Sequence, residues 1–141
     1  MTAKRLDSGG RIDRSRPITF TWDGKPLLGF VGDTLASAMM ANGEKILARS
    51  FKYHRPRGIM SAGVEESGAI VSVGSGNRHE PNVKATTQEL FQGLVANGQN
   101  AWPSVPNDVG AVNGLFGWFF SAGFYYKETF AQRPYYCSSI T

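Results

Sequence analysis

Cationic and aromatic side chains alternate along residues 49–58, which read RSFKYHRPRG. Guanidinium and ammonium groups bind anions and aromatic rings stack on bases, so the pattern is typical of an anion or nucleic-acid site. A contact with a neighbouring subunit or cofactor, and a plain solvated loop, would produce the same pattern, and all three interpretations stay open. The candidate contact residues of this basic loop are Lys52, Tyr53, His54, Arg55 and Arg57.

The next segment, residues 58–69 with the sequence GIMSAGVEESGA, looks like the loop of an iron–sulfur cluster from which the cysteines are missing. A plant-type [2Fe–2S] loop places thiolates at C-x4-C-x2-C, with a fourth ligand further along the chain. Here those vestigial cluster positions fall on Ser61, Glu66 and Ala69, and the fourth falls near Thr86. Since none of them supplies a thiolate, we expect no metal ligand here and a structural or docking role for the loop.

Acid–base catalysis, a zinc site and an unusual iron–sulfur site have weaker support in the sequence. Glu65 and Glu66 are adjacent acids, but no nucleophile accompanies them, so we expect solvated loop carboxylates rather than a general acid and base. His54 and His79 are the only histidines and lack any recognised ligand spacing, so a zinc site is not expected. A ferredoxin with unusual ligands is disfavoured because Ala69 has no donor atom.

Length, composition and charge set outer limits. The chain has 141 residues, 41% of them hydrophobic and 18% charged, which is typical of one packed domain. Residues 1–57 contain eleven Lys and Arg against five acidic residues, whereas the remaining residues contain four against six. The basic front and near-neutral rear therefore predict two different surfaces.

Cysteine count and hydropathy bear on the compartment. The single cysteine, Cys137, cannot form an intrachain disulfide or an all-cysteine metal site, which favours a reducing compartment. The first ten residues lack the apolar core of a signal peptide, so we expect a cytoplasmic protein. The most apolar stretch, residues 114–126, is shorter than the roughly 20 residues that span a bilayer, so no membrane partner is expected.

The first part of the chain predicts a hairpin and a helix. Residues 18–22 and 26–31 have strand character and are joined by Asp23-Gly24, a strong hairpin signal. Asp33 is a suitable N-cap for a helix over residues 34–42, and Gly43 is a suitable stop.

Further strands are predicted at residues 46–48, 69–73 and 83–87, with an irregular loop over residues 50–68. Together these elements predict an α+β fold of the β-grasp, ferredoxin-like kind. We expect a basic leader at 1–16, the β-grasp domain without its cluster at 17–97, and a Gly- and aromatic-rich connecting segment at 98–141. The aromatic side chains of that segment need a partner surface or a place in the same core, and docking on another domain or subunit is the favoured alternative.

Four motifs, in matching order and spacing, give the chain a family resemblance. They are GGRIDR at 9–14, GDTLASA at 32–38, RSFKYHRPRG at 49–58 and GWFFSAGFYYK at 117–127. Together they resemble the N-terminal region of the α subunit of heterotetrameric sarcosine oxidase. That subunit also resembles this chain in lacking the cluster cysteines.

The resemblance implies a role in a flavoenzyme that oxidatively demethylates sarcosine to glycine. It implies NAD, FMN and FAD in the full complex but no cofactor-binding and no catalytic residue in this chain, which we expect to be an inactive scaffold when isolated. The implied partners are the remainder of the α subunit and the β, γ and δ subunits. After residue 127 the family character is lost, which a truncated or frameshifted reading frame would explain. The alternative is a free-standing anion- or nucleic-acid-binding module that uses the basic loop, although nucleic acid is the less favoured ligand.

Overall fold

The chain enters its sheet as a β-hairpin. The computed structural model describes residues 5–114, in which strand β1 (Asp13–Trp22) pairs antiparallel with strand β2 (Lys25–Val31). Asp23 and Gly24 between them have φ values of 45° and 78°, as a type I′ turn requires. The predicted hairpin is confirmed, although β1 begins five residues earlier than the sequence pattern indicated.

The α-helix of the described residues, α1 (Leu35–Ala41), begins one residue later than predicted. Its N-cap is Thr34, whose hydroxyl accepts the Ser37 N–H at 3.2 Å while the Ser37 hydroxyl accepts the Thr34 N–H at 3.0 Å. The prediction of Asp33 as N-cap is therefore wrong, because its carboxylate binds Arg5 and the Ser37 hydroxyl instead. Gly43, with a φ of 84°, follows the C-cap as predicted.

The remaining strands depart from the predicted bounds. Strands β3 (Ala48–Arg49) and β4 (Pro56–Arg57) form a two-stranded ribbon, and β4 lies inside the stretch predicted to be irregular. Strand β5 (Ile70–Val73) lies where expected. Strand β6 (Glu80–Lys84) begins three residues before the predicted 83–87 and overlaps it at residues 83 and 84, and β7 (Val95–Gly98) was not predicted at all.

The main sheet is mixed and has the strand order β2-β1-β7-β5-β6. Strand β7 lies at its centre, parallel to β1 and antiparallel to β5. Two short 3-10 helices, Gly76–Arg78 and Val109–Gly114, complete the regular elements of the described residues. A mixed sheet with one α-helix among the described residues agrees with the predicted α+β class.

The core lies between α1 and one face of the main sheet. Alternate residues of β1 point into it and are buried, as are the sheet-facing residues of the helix. The side chains that fill the centre are Phe20, Trp22, Leu35, Met39, Leu47, Val71, Leu94 and Val105. No helix within residues 5–114 is long and apolar enough to cross a membrane.

The rear aromatic residues are only partly covered by the structure. Trp102 is 72% exposed, so it does not complete the core. The aromatic residues of the 114–126 segment, the tail after residue 127 and Cys137 lie outside the described residues.

Candidate functional site

The cluster-type loop, residues 58–69, runs from β4 to β5 and is held at close range by backbone contacts. A Cβ on Gly68 would lie 2.5 Å from the Gly58 carbonyl oxygen, and a Cβ on Gly58 would lie 2.5 Å from the Lys45 carbonyl oxygen. Real side chains never approach so closely, so glycine permits this packing of backbone on backbone. The two ends of the loop therefore lie close together.

Glu66 lies at the centre of this loop and is 1% exposed. Its Oε2 atom accepts the N–H groups of Met60 and Ser61, each at 2.7 Å. Its Oε1 atom accepts the N–H groups of Gly68 at 2.5 Å and Ala69 at 3.1 Å. One carboxylate therefore satisfies backbone donors from both arms of the loop.

These donors decide the ionisation of Glu66. Burial alone raises the pKa of its carboxyl group, but the N–H groups of Ser61, Gly68, Met60 and Ala69 outweigh that effect and lower the pKa to about 2. Glu66 is therefore a buried anion at neutral pH. The expectation that it is a solvated loop acid is wrong, whereas Glu65 is exposed as expected.

Residues at the end of β6 and in the turn after it contact the same loop, among them the predicted cluster position Thr86. The Thr86 hydroxyl donates to the Gly63 carbonyl at 2.8 Å, and the Lys84 ammonium group donates to the Val64 carbonyl. Ala69 is fully buried, and its carbonyl accepts the Ala85 N–H at 3.0 Å. The turn that follows β6 therefore fixes the tip and the far end of the loop.

The basic loop contains a network of polar contacts that the sequence did not reveal. The Nδ1 atom of His54 lies 2.7 Å from Oδ2 of Asp108, and Nε of Arg49 lies 3.5 Å from the same oxygen. Arg49 also donates to the carbonyl groups of Val105 and His54, both at 2.9 Å. This network ties the basic loop to the segment after β7, so His54 has a structural contact.

The other candidate contact residues of the basic loop differ in their surroundings. Lys52 Nζ and Arg55 Cζ lie 5.2 and 4.9 Å from the centroid of the Tyr53 ring, which is within cation–π range. Arg55 and Arg57 are both exposed. The pattern of alternating cations and aromatics thus serves partly to stabilise the loop itself.

A polar cavity of about 250 Å³ lies between the basic loop and the cluster-type loop. Arg57, Ser67, Asn82 and Asn100 are among its lining residues. Both asparagines have a positive φ, 63° for Asn82 and 56° for Asn100, a conformation that asparagine tolerates better than most residues. The two predicted sites are therefore neighbours on one surface.

A second buried carboxylate, that of Asp33, ties the N-terminal segment to the helix. Both terminal nitrogens of Arg5 donate to it, at 3.0 and 2.8 Å, and the Phe30 N–H donates at 3.0 Å. Burial alone raises the pKa of Asp33, but these donors together with the Ser37 hydroxyl lower it. This pair joins residues 28 positions apart, a separation that no local pattern encodes.

This fold and loop define a class of protein. A family model described as a 2Fe-2S iron-sulfur cluster binding domain matches residues 15–101, and the chain belongs to that family. The crystal structure of L-proline dehydrogenase from P. horikoshii shares the fold, with a TM-score of 0.50 and 22% sequence identity over 65% of this chain and 17% of that one.

The individual relatives are more specific. Sarcosine oxidase subunit alpha from Rhizobium meliloti (strain 1021) is 57% identical over 95% of this chain, which covers 14% of that relative. The subunits of the same name from Corynebacterium sp. strains U-96 and P-1 are 46% and 52% identical over 63% and 61% of the chain. The resemblance to sarcosine oxidase α subunits, an oxidoreductase family, is thereby confirmed. The chain spans 14% of the length of the first relative and 10% and 9% of the others.

The family description implies a [2Fe–2S] cluster, but the residues of this loop do not fit one. The predicted ligand positions hold Ser61, Glu66, Ala69 and Thr86, and the only cysteine in the sequence is Cys137. The inward-facing amides of the loop already bind the Glu66 carboxylate. Across residues 5–114, no three His, Cys, Asp or Glu side chains come together as a metal site.

Proposed function

We propose that this chain is the cluster-free, β-grasp ferredoxin-like domain of a sarcosine oxidase α subunit, and that it acts as a scaffold and docking element. The observation that carries the proposal is 57% identity to such a subunit over 95% of the chain, combined with a cluster-type loop that has no thiolate. A domain without its electron carrier transfers no electrons, so its contribution to the enzyme is structural.

The assembly supplies the chemistry that this domain lacks. The complex would oxidatively demethylate sarcosine to glycine in the cytoplasm, with NAD, FMN and FAD held by the rest of the α subunit and by its β, γ and δ partners. In this proposal residues 17–97 form the scaffold domain, residues 1–16 are its leader, and residues 98–141 connect it to the NAD-binding region. Lys52, Tyr53, His54, Arg55 and Arg57 form the contact loop.

The proposal is tested by assembly and by activity. The full chain, tagged and co-expressed with the β, γ and δ subunits and the remainder of the α subunit, should co-purify with them. The chain alone should form no peroxide when sarcosine is added and should contain no flavin. Sarcosine-dependent peroxide formation by the pure chain would refute the proposal. So would a chain that co-purifies with none of these subunits.

The basic loop supports a second candidate, a free-standing module that binds an anion or a nucleic acid. The observation in its favour is the exposure of Arg55 and Arg57, of which Arg57 lines a polar cavity. Binding dominated by phosphate contacts weakens steeply as salt rises. Oligonucleotide binding that is absent, or that does not respond to salt between 50 and 200 mM, would eliminate this candidate.

A further inference from the structure

The amide groups of the cluster-type loop form an anion-binding cradle. The N–H groups of Met60, Ser61, Gly68 and Ala69 converge on the two oxygens of one carboxylate. Concave arrays of backbone N–H groups bind anions, and they recur at phosphate and iron–sulfur sites. The donors of the cradle are therefore backbone groups, whereas the anion that they bind is a side chain, that of Glu66.

We propose that this cradle is a carboxylate-binding site whose built-in ligand is the side chain of Glu66, and that this side chain takes the place of the anionic cluster as the centre that holds the loop closed. The inference rests on the proposed function, because it assumes that the loop holds no cluster. It goes further because it gives Glu66 a role of its own, that of holding the loop closed, at a position where a cluster ligand is predicted in related domains.

The fit of the carboxylate to the cradle supports this inference. A carboxylate has two oxygens with about four lone-pair sites, and the backbone supplies one N–H group for each of those sites. The Ser61 hydroxyl lies at 3.4 Å from Oε2 as a further, weaker neighbour. The side chain is buried, and no cation pairs with it among the residues that the structure describes. Its charge is therefore balanced chiefly by the backbone N–H dipoles, with the Ser61 hydroxyl as a weaker contribution.

Glycine at position 68 leaves room for the carboxylate in the cradle. A Cβ on Gly68 would lie 3.2 Å from Oε1 of Glu66, in addition to its clash with the Gly58 carbonyl. A small carboxylate ion such as formate has the same two oxygens and would fit the site once the glutamate side chain is removed.

The decisive experiment is chemical rescue of the full 141-residue chain by formate. Glu66→Ala should lower the Tm by about 20 °C, since four N–H donors to a charged group lose their acceptor. Sodium formate, compared with sodium chloride at equal ionic strength, should raise the Tm of Glu66→Ala by several degrees. The same formate should leave the wild type and the control Glu65→Ala unchanged, because Glu65 is exposed. Formate that stabilises all three proteins equally, or none of them, would overturn the inference.

Amide hydrogen exchange of the wild type tests the same inference without a variant, and so remains available if Glu66→Ala does not fold. Amide hydrogen exchange at Met60, Ser61, Gly68 and Ala69 should be about 100-fold slower than at Val64 and Glu65, because hydrogen bonds to a charged acceptor are the strong ones. Equal exchange at the two sets of amides would refute the cradle.

The control that separates the two proposals is the iron content of the wild type after cluster reconstitution. Bound iron would refute the cluster-free function. An iron-free wild type whose Glu66→Ala variant ignores formate would refute only the role of Glu66.

Discussion

Asp108 makes the least expected contact of the structure, and its replacement by asparagine gives a sharp test. The side chain is 1% exposed. Its Oδ1 atom accepts the N–H groups of Trp102 at 3.0 Å and Gly110 at 3.1 Å, while Oδ2 faces His54 at 2.7 Å and Arg49 at 3.5 Å. Asp108→Asn keeps the first oxygen and replaces the second by an NH2 group that faces the Arg49 guanidinium.

The expected cost follows from what is lost. A hydrogen bond to a charged group contributes about 1.5–3 kcal/mol, so we expect Asp108→Asn to lower the free energy of unfolding by about 2 kcal/mol. Asp108→Ala also leaves the two backbone N–H groups without an acceptor, and we expect about 4 kcal/mol. For a domain of this size, the asparagine variant should melt about 10 °C below the wild type.

The assay is urea unfolding of the full chain, followed by circular dichroism from pH 7 down to pH 3. Burial alone raises the pKa of Asp108, but the donors from Trp102, His54 and Gly110 lower it overall. Its folded pKa thus lies below the unfolded value of about 3.9, so its stabilisation is complete above about pH 4 and is lost as the pH falls further. The difference in the free energy of unfolding between wild type and Asp108→Asn should therefore become smaller over that acidic range.

The control is Asp7→Asn, because Asp7 is exposed. An Asp108→Asn chain whose free energy of unfolding lies within about 0.5 kcal/mol of wild type at pH 7 would contradict the reasoning.

Three further substitutions probe other contacts by thermal or urea unfolding. Thr34→Ala removes the N-cap hydroxyl and should cost about 1 kcal/mol, whereas Thr34→Ser should cost little; equal losses would contradict the capping role. Arg5→Ala leaves the buried Asp33 carboxylate without its cation and should cost about 3 kcal/mol, and a neutral result would show that the pair contributes nothing. Gly68→Ala places a methyl group 2.5 Å from the Gly58 carbonyl oxygen and should cost more than about 2 kcal/mol, so an unchanged midpoint would disprove the close approach.

Local patterns in the sequence predicted the hairpin and the helix well. The turn requires a positive φ at both Asp23 and Gly24, and few other dipeptides tolerate that conformation. These two residues were therefore enough to predict the turn. The N-cap was placed one residue early because aspartate and threonine are both good caps. The choice between Asp33 and Thr34 depended on Arg5, which lies far away in sequence and occupies the aspartate.

Features that depend on distant partners could not be predicted. Strand β7 has the sequence VANG, which carries little strand signal, and it is a strand because β1 and β5 flank it at the centre of the sheet. Glu66 looked like a solvated acid because its partners are backbone N–H groups, which every residue except proline has and no sequence pattern marks. Asp108 lies 54 positions from His54, so their contact was equally hidden.

The cluster positions remain a prediction from the spacing of ligands, which is itself a sequence pattern. Counting predicts Ser61, Glu66, Ala69 and Thr86, and the structure places all of them in or beside one loop. Counting could not reveal the hydrogen bonds between the loop amides and the Glu66 carboxylate. They depend on the orientation of backbone amides, which only the three-dimensional structure provides.

The most direct test of a cluster-free scaffold is the iron and acid-labile sulfide content of the full chain. The chain would be incubated anaerobically with iron, sulfide and thiol beside a ferredoxin that has all four cysteines, and then desalted. We predict that the ferredoxin gains a cluster, with its visible absorption and an electron paramagnetic resonance signal on reduction, while this chain retains neither iron nor sulfide. Stoichiometric iron and sulfide with that signal in this chain would contradict the account.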